Sequence, residues 1–234
     1  MEKCKLCNGS GWVKIEKDGR EYLKKCKCKK LEILKDLCIS ANIPPKFAGL
    51  MLDNFGTENG DKSLLRLVKI AKNFIENYPA GKGIILHGRT GMGKTHILSN
   101  IATEIFKKNL RANIFYIDWN DMVREMKSGE SHNFRDFLLI NETIDKMSGA
   151  DLLIIDELGA SIPSQWVRDN IYFIINRRYN KERTTLFATN YFDETSDGSP
   201  TLRDRIGDRI RSRIYEMAKS YTLEGVDYRQ RYKD

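Results

Sequence analysis

The sequence contains no apolar run that approaches the roughly 18 residues needed to cross a membrane. Residues 1–5 lead directly into cysteines, so the N-terminus lacks the apolar core of a secretory signal peptide. Internal repeats and low-complexity segments are also missing. These absences argue against a membrane-spanning helix and a secretory leader, and we expect a soluble, cytoplasmic protein with no membrane partner.

Cysteine is scarce, with five residues that all lie within the first 38 positions. In a reducing cytosol such residues argue against disulfides and favour a metal site or inert thiols. Acidic residues are outnumbered by basic ones, which gives a formal net charge of +8. That charge fits either a solvated basic surface or a polyanionic partner, above all nucleic acid.

The residue pattern divides the chain into three segments. The first, 1–41, is rich in lysine and holds every cysteine. The second, 42–61, is a predicted linker, because Pro44 and Pro45 break any helix and impose extended backbone. The third, 62–234, alternates apolar strand patterns with helical patterns. At 234 residues the chain suffices for one ordinary domain with a hydrophobic core plus a small appendage.

The alternation in the third segment predicts a three-layer α/β domain, in which a parallel sheet is covered by helices on both faces. Predicted strands cover 83–88, 112–118, 151–157, 184–190 and 220–225. Predicted helices begin at 62 and cover 93–108, 166–179 and 202–217. Only residues 218–234 follow the last predicted helix, which leaves no room for a C-terminal helical lid domain.

The segment "GRTGMGKT", Gly88–Thr95, is a phosphate-binding loop that follows a predicted strand and opens a predicted helix. Its glycines allow the backbone N–H groups to wrap phosphates. Lys94 is placed to reach the β- and γ-phosphates of ATP, and the Thr95 hydroxyl to bind Mg²⁺. His96 also suits packing within the helix. The residues expected around the nucleotide are Gly88, Arg89, Thr90, Gly91, Met92, Gly93, Lys94, Thr95 and His96.

Two later strand ends complete a predicted catalytic site. In "LLIIDELG" four apolar residues make a buried strand, and Asp156 and Glu157 emerge at its C-terminal end, where parallel sheets bind ligands. Asp156 is expected to hold Mg²⁺ and Glu157 to polarise the attacking water, although two surface acids after a strand are the alternative. Asn190 ends the next strand and can orient water against the γ-phosphate, while asparagine is also a common strand terminator.

The segment "LRDRIGDRIRSRIYEM" places isoleucines and arginines on neighbouring helical stripes. The arginines are Arg205, Arg209 and Arg213. They form either a solvated basic face or a source for an arginine finger, which stabilises the charge that builds up in phosphoryl transfer. Such a finger usually comes from a neighbouring subunit, so this interpretation requires an oligomer with ATP at its interfaces.

The cysteines near the N-terminus form a C-x₂-C … C-x-C set. Four thiolates suit tetrahedral Zn²⁺, with an iron–sulfur cluster as the alternative. An appendage this small cannot build its own core, so the metal is expected to supply its fold. The four predicted ligands are Cys4, Cys7, Cys26 and Cys28, whereas Cys38 follows a helical pattern that is typical of a small core residue.

Seven motifs in this order resemble the AAA+ ATPases, and within them the DnaC/DnaI family of bacterial replicative helicase loaders, with the transposition helper IstB as close kin. The motifs are "CKLCNGSGW … CKC", "IPPKFAGLMLDNF", "GRTGMGKTH", "LLIIDELG", "LFATN", "GDRIRSRI" and "VDYRQR". The resemblance implies that Lys94 and Thr95 belong to Walker A, Asp156 and Glu157 to Walker B, and Asn190 to sensor 1. It further implies that Arg213 is the arginine finger, that Arg209 assists it, and that Arg229 faces the nucleotide.

The resemblance also implies the partners. Loaders of this family bind a hexameric replicative helicase, here through the cysteine knuckle, place it on single-stranded DNA, and self-associate into a ring or spiral. Residues 119–149 correspond to an extra helix after the second strand, as in replication initiators. Its predicted DNA contacts are Arg124, Lys127, Phe134 and Arg135, although its aromatic residues also suit a core.

Three other functions remain open. A transposition helper of the IstB type shares the ATPase motifs but generally lacks the cysteine knuckle. A small-molecule P-loop kinase is opposed by the adjacent acids Asp156 and Glu157, the strand that ends in Asn190, and the late arginine helix. A non-hydrolysing ATP-switched adaptor is opposed by Glu157 and Asn190.

Overall fold

The computed structural model describes residues 4–52, 62–79, 81–128, 134–223 and 227, with the side chains of 128 and 134–137 excepted. The strands are β1 (Trp12–Lys17), β2 (Arg20–Lys25), β3 (Gly83–His87), β4 (Ile114–Asp118), β5 (Leu152–Asp156), β6 (Thr184–Thr189) and β7 (Ala218–Thr222). The helices are α1 (Lys27–Ser40), α2 (Lys62–Asn77), α3 (Lys94–Lys108), α4 (Trp119–Ser128), α5 (Phe134–Gly149), α6 (Gln165–Asn180), α7 (Leu202–Ile206) and α8 (Asp208–Met217).

Five strands form one parallel sheet in the order β4-β5-β6-β3-β7. Every residue of β3, β5 and β6 is buried, because these central strands are covered by helices on both faces of the sheet. The predicted α/β parallel sheet is therefore confirmed. The order places the carboxyl ends of β5, β6 and β3 side by side, which brings the phosphate loop next to the two polar strand ends.

Alternate residues of each strand point into two separate cores, one on each face of the sheet. In β3, Ile84 and Leu86 pack with apolar side chains of α1, α2 and α3. Ile85 of the same strand packs on the opposite face with side chains of α4 to α8. Helices thus cover both faces, which is the predicted three-layer arrangement.

Two helical regions differ from the sequence prediction. The predicted helix 202–217 is broken at Gly207, whose φ of 84° is a backbone conformation that residues with a side chain rarely adopt. The region 119–149 contains two helices, α4 and α5, and residues 129–133 between them lie outside the described part of the chain.

The first helix is packed into the core of the sheet domain. Leu34 and Cys38 of α1 are buried against it, and the Cys38 Sγ lies 3.3 Å from Thr103 Oγ1 of α3. The Tyr116 N–H of β4 donates to the Ala41 carbonyl at 2.8 Å, so the chain beyond α1 pairs with the edge of the sheet. The predicted division at residue 41 therefore falls inside a continuous core, because the apolar stripe of α1 is covered by α3.

The N-terminal cysteines lie beside a two-stranded antiparallel hairpin, β1 and β2. Its turn contains Asp18 and Gly19, both with positive φ, which suits the tight turns that connect such strands. All side chains of the hairpin are exposed apart from Val13, which is half-buried. The hairpin thus adds surface and no core of its own.

Candidate functional site: a nucleotide cavity and a cysteine cluster

The phosphate loop connects the buried strand β3 to α3, which begins at Lys94. Gly91 and Gly93 have φ values of 82° and 79°, which only glycine adopts without penalty. A Cβ at Gly91 would also collide with the carboxylate of Asp227. Beside the loop lies a cavity of about 260 Å³. It is lined by Phe47, Thr90, Gly91, Met92, Gly93, Lys94, Thr95, His96, Asp156, Glu157 and Asn190.

Lys94 connects the loop to the end of β6. Its ammonium donates to the Gly88 carbonyl at 2.6 Å, to the Arg89 carbonyl at 2.9 Å, and to Asn190 Oδ1 at 2.8 Å. The side chain is buried, so these oxygens hold its charge at the cavity wall. Gly88 and Arg89 therefore contribute carbonyl acceptors for Lys94, while the residues from Thr90 onward line the cavity.

Asp156 is buried at the end of β5 and its carboxylate is oriented by two donors. The Tyr116 hydroxyl donates to Oδ2 at 2.7 Å, and the Glu157 N–H donates to Oδ1 at 2.9 Å. Burial, together with the negative charge of Asp156, raises the pKa of Tyr116, so the hydroxyl stays protonated and remains a donor. Sequence reasoning missed Tyr116, since nothing in β4 alone indicates which neighbouring strand its side chain will meet.

Glu157 follows Asp156 with a φ of 51°, an uncommon conformation for a residue with a side chain. The next residue, Leu158, anchors this turn to β6: its N–H donates to the Ala188 carbonyl at 2.8 Å, and its carbonyl accepts from Thr189 Oγ1 at 2.7 Å. The neighbouring strand therefore stabilises the conformation that places an exposed carboxylate at the cavity beside Asp156.

An aromatic side chain from the predicted linker also reaches the cavity. Phe47 stacks on the His96 ring with a centroid separation of 5.5 Å, and Lys46 Nζ lies 4.8 Å from the Phe47 ring centre. Burial lowers the pKa of His96 and favours its neutral form. Sequence reasoning treated 42–61 as a connection only, so Phe47 was missed. The available signal was its position in "IPPKF", two residues after the helix-breaking prolines.

The arginine stripe separates into two groups. Arg205 donates to the Gly159 and Ala160 carbonyls at 2.7 Å and 2.6 Å, so it braces the turn after Glu157. Arg209 and Arg213 lie over the rings of Tyr172 and Tyr179 on α6, at 4.2 Å and 4.4 Å.

Neither Arg209 nor Arg213 lines the cavity of its own chain. Arg213 also pairs with Glu216 at 3.4 Å on the surface. Arg229, predicted to face the nucleotide, lies outside the described residues.

Four cysteine sulfurs meet at the base of the hairpin, and all lie within 4.8 Å of one another. Cys4 and Cys26 are 3.9 Å apart, and Cys7 and Cys28 are 3.5 Å apart. A tetrahedral ion at a Zn–S distance of about 2.3 Å requires sulfurs about 3.8 Å apart. The donor set and its spacing therefore fit Zn²⁺.

The knuckle backbone lowers the pKa of two thiols of this cluster, Cys4 and Cys7, while hydrogen bonds with the neighbouring cysteines raise the pKa of Cys28. The Gly11 N–H donates to Cys7 Sγ at 3.3 Å and lowers the pKa of Cys7 to about 6. Since metals bind the thiolate form, this contact favours a ligating cysteine.

The predicted DNA contacts are only partly described. Arg124 and Lys127 are exposed on α4, where Arg124 pairs with Asp121 at 3.4 Å. Phe134 and Arg135 open α5, but their side chains lie outside the described part of the chain. Across the described ranges, none of the helices combines the length and apolar character needed to traverse a bilayer.

Comparison with known proteins places this geometry in context. The family model of the bacterial DnaA ATPase domain matches residues 52–218. The chain is 25% identical to the phage-like element PBSX protein XkdC of Bacillus subtilis, over 96% of this chain and 84% of that protein. It is 28% identical to the replicative helicase loader DnaI of Bacillus subtilis, over 72% of this chain and 55% of DnaI.

Among solved structures, the crystal structure of the DnaC helicase loader superposes with a TM-score of 0.61 at 28% identity. That match covers 76% of this chain and 99% of the DnaC chain. The match with DnaI, by contrast, spans little more than half of that relative's length.

Proposed function

Because this chain belongs to the bacterial DnaA-type ATPases and to the DnaC/DnaI family of replicative helicase loaders, we propose that it binds the replicative DNA helicase and delivers it onto single-stranded DNA. The observation that carries this proposal is the convergence of Lys94, Asp156, Glu157 and Asn190 on one cavity beside the phosphate loop. ATP binding and hydrolysis at this cavity would control the delivery.

The loop and two side chains bind the nucleotide in this proposal. The N–H groups of Thr90 to Thr95 surround the phosphates, and Lys94 exchanges its carbonyl partners for phosphate oxygens. Mg²⁺, when bound, would be held by the Thr95 hydroxyl and the Asp156 carboxylate and would offset negative charge on the phosphates. Phe47 and His96 close one side of the cavity with flat, apolar surface suited to the nucleoside.

Two residues act on the attacking water. The Glu157 carboxylate accepts hydrogen bonds from this water and aligns its lone pair with the γ-phosphorus. The Asn190 amide orients the water and reports the presence of the γ-phosphate, since it is already hydrogen-bonded to Lys94. Hydrolysis is slow and rises when single-stranded DNA is bound.

Arg213 completes the site of a neighbouring chain. Its guanidinium is half-buried on α8, over Tyr179 and beside Glu216, and lies outside the cavity of its own chain, so in this proposal it would exchange these partners for the phosphates of a second copy. Arg209, one turn earlier, assists it, and Arg229 contacts the nucleotide within its own chain. The protein would form a ring or spiral in which ATP lies between subunits, and each site requires its neighbour for hydrolysis.

The cysteine module, residues 4–28, is the helicase-docking unit. Zn²⁺, when bound by the four cysteines, would hold the knuckle at the base of the hairpin, and Cys28 lies in the first turn of α1. Because Leu34 and Cys38 of α1 are buried in the ATPase core, the module is tied firmly to the nucleotide domain. DNA contacts are proposed for Arg124, Lys127, Phe134 and Arg135.

A loading assay tests the proposal. The full chain is mixed with the replicative helicase of the same organism, ATP, and circular single-stranded DNA coated with single-strand-binding protein, and unwinding of an annealed oligonucleotide is followed. We expect unwinding to depend on the chain. Glu157→Gln should retain ATP binding but lose at least about 10²-fold in turnover.

A second arm separates docking from catalysis. Cys26→Ser combined with Cys28→Ser should abolish zinc binding and helicase capture and leave ATP binding intact. Helicase capture at full affinity by this variant would remove the cysteine module from the docking role. Failure of the wild-type chain to capture or load the helicase would overturn the proposed function itself.

A further inference from the structure

The hairpin β1–β2 presents two chemically different faces. Residues paired across an antiparallel ladder point to the same side, and successive residues alternate between sides. The register therefore assigns one face, the basic face, and an opposite mixed face. The basic face consists of Val13, Ile15, Lys17, Arg20, Tyr22 and Lys24, and the mixed face of Trp12, Lys14, Glu16, Glu21, Leu23 and Lys25.

The two faces differ in whether their positive charges are balanced by acidic side chains. On the mixed face, Lys14 pairs with Glu21 at 3.0 Å, and the two lysines are matched by two glutamates. The basic face has three cations and no acid. Within the part of the chain that the structure describes, no ion pair involves Lys17, Arg20 or Lys24. This face therefore carries an unbalanced positive charge.

An exposed aromatic ring lies among these cations. Tyr22 is directly opposite Ile15, and the two side chains are 47% and 39% exposed. Lys17 and Arg20 lie toward the turn, and Lys24 lies toward the cysteines. The ring is thus bracketed by positive charge along the length of the ribbon, with apolar surface beside it.

We propose that the basic face of the hairpin binds single-stranded nucleic acid, with Lys17, Arg20 and Lys24 on the phosphates and Tyr22 stacked on a base. Cations spaced along a ribbon, with an exposed aromatic platform between them, match the two requirements of such a strand, which are backbone neutralisation and stacking. The proposal rests on the proposed function, since it adds a contact for the strand that receives the helicase. It places that contact on the cysteine module, separate from α4 and α5.

An acidic protein surface would satisfy the cations equally well. An exposed aromatic ring within a row of cations is, however, the arrangement by which single-strand-binding surfaces stack a base while they neutralise the neighbouring phosphates. A nucleic acid is therefore the occupant that accounts for both features of the face.

Matched variants of the full chain test the proposal. Binding of a fluorescein-labelled oligothymidine is measured by fluorescence anisotropy across a salt series. Lys17→Gln with Lys24→Gln removes two charges from the basic face, and Lys14→Gln with Lys25→Gln removes two from the mixed face. Tyr22→Ala is compared with Leu23→Ala, its neighbour on the mixed face, which is 67% exposed. Zinc content and ATP binding are the checks that every variant is folded.

The basic-face variants should differ from their controls. We expect Tyr22→Ala to weaken binding by about fivefold or more, the range of one lost base stack. Removing both basic-face lysines should lower the slope of log affinity against log salt by about 0.7 for each lost phosphate contact. The mixed-face variants should bind like the wild type.

Three results would overturn the proposal. Equal losses from both faces would show that the charge of the hairpin alone attracts DNA, and no loss from either face would place the DNA contact elsewhere on the protein. Reduced helicase capture with unchanged oligothymidine affinity would assign the basic face to a protein partner. Since helicase capture and ATP turnover are measured separately, failure of the proposed loader function would be distinguishable from failure of this face.

Discussion

Lys94 and Asn190 are joined by a hydrogen bond of 2.8 Å between the lysine Nζ and the amide Oδ1, so the phosphate loop and the end of β6 share one polar contact. The bond joins residues 96 positions apart, which meet because β3, the strand that leads into the phosphate loop, pairs with β6. In the proposed function Lys94 also binds the γ-phosphate. A movement of Lys94 on loss of that phosphate would therefore change its hydrogen bond with the Asn190 amide.

Asn190→Ala should therefore impair hydrolysis more than binding. The lysine keeps the Gly88 and Arg89 carbonyls as partners, so ATP affinity should change by less than about threefold. Turnover should fall by about 10- to 100-fold, because the water loses an orienting group. Steady-state hydrolysis and equilibrium binding of a fluorescent ATP analogue measure the two effects. An equal loss of affinity and turnover would contradict a role in orienting water.

Tyr116→Phe should raise the Mg²⁺ concentration that ATP hydrolysis requires. The substitution keeps the ring and removes the hydroxyl that donates to Asp156 Oδ2. Loss of an outer hydrogen bond to a metal-binding carboxylate typically costs about 10- to 100-fold in metal affinity or activity. A magnesium titration of ATP hydrolysis should show a higher half-saturating concentration. Tyr172→Phe, which alters a tyrosine on α6 away from the cavity, is the control and should leave the titration unchanged.

Arg213→Ala should bind ATP and lose hydrolysis, because in the proposed function its guanidinium acts on the ATP bound to the neighbouring chain. Lys94→Ala should be inactive for the opposite reason, since it keeps the arginine finger Arg213 but lacks a functional nucleotide site. Mixing the two proteins should restore part of the activity at interfaces that combine an intact site with an intact finger. The Arg203→Ala variant, which changes an exposed arginine on α7, should hydrolyse ATP normally. An absence of recovery at every ratio, with mixed oligomers shown to form, would argue against a finger in trans.

A chain truncated just before α1 should be more stable than one truncated just after it. A chain of residues 27–234 retains α1 and should fold and bind ATP. A chain of residues 42–234 loses Leu34, Cys38 and the rest of the apolar stripe that covers α3. We expect a loss of about 3 kcal/mol or more in the free energy of unfolding, since two or three buried side chains are removed. Urea denaturation checks this, and equal midpoints would place α1 outside the cooperative unit.

Arg178→Met should destabilise the domain strongly. Arg178 is fully buried and donates to the carbonyls of Met147, Ala150 and Thr184 and to the Thr185 hydroxyl. Burial lowers the pKa of Arg178 to about 9, which is still high enough to keep the guanidinium charged at neutral pH.

Leaving these acceptors without a donor should cost about 3 kcal/mol or more. Arg177→Met, at the adjacent half-buried position paired with the exposed Asp145, should cost less than about 1 kcal/mol. Urea unfolding measures the loss in the free energy of unfolding for both variants. Similar losses would contradict a stabilising role of the Arg178 hydrogen bonds.

The sequence alone predicts those parts of the site that are built from residues close together in the chain. The phosphate loop needs particular residues at fixed spacing between a strand and a helix, and Asp156 follows an uninterrupted apolar run. The alternation of strands and helices predicted the parallel sheet. The order of the motifs was sufficient to identify the family. Each motif is a contiguous run of residues, so it can be recognised without knowing which residues it contacts in the fold.

The tertiary structure alone decided which distant residues meet. Tyr116 reaches Asp156 because β4 pairs with β5, and Phe47 reaches His96 because the segment after α1 returns to the sheet. The sequence places α1 in the first segment, whereas the structure packs its apolar stripe on α3: Cys38 contacts Thr103, 65 positions later in the chain. Residue type and spacing state what a side chain can bind, but strand order and packing determine what lies within its reach.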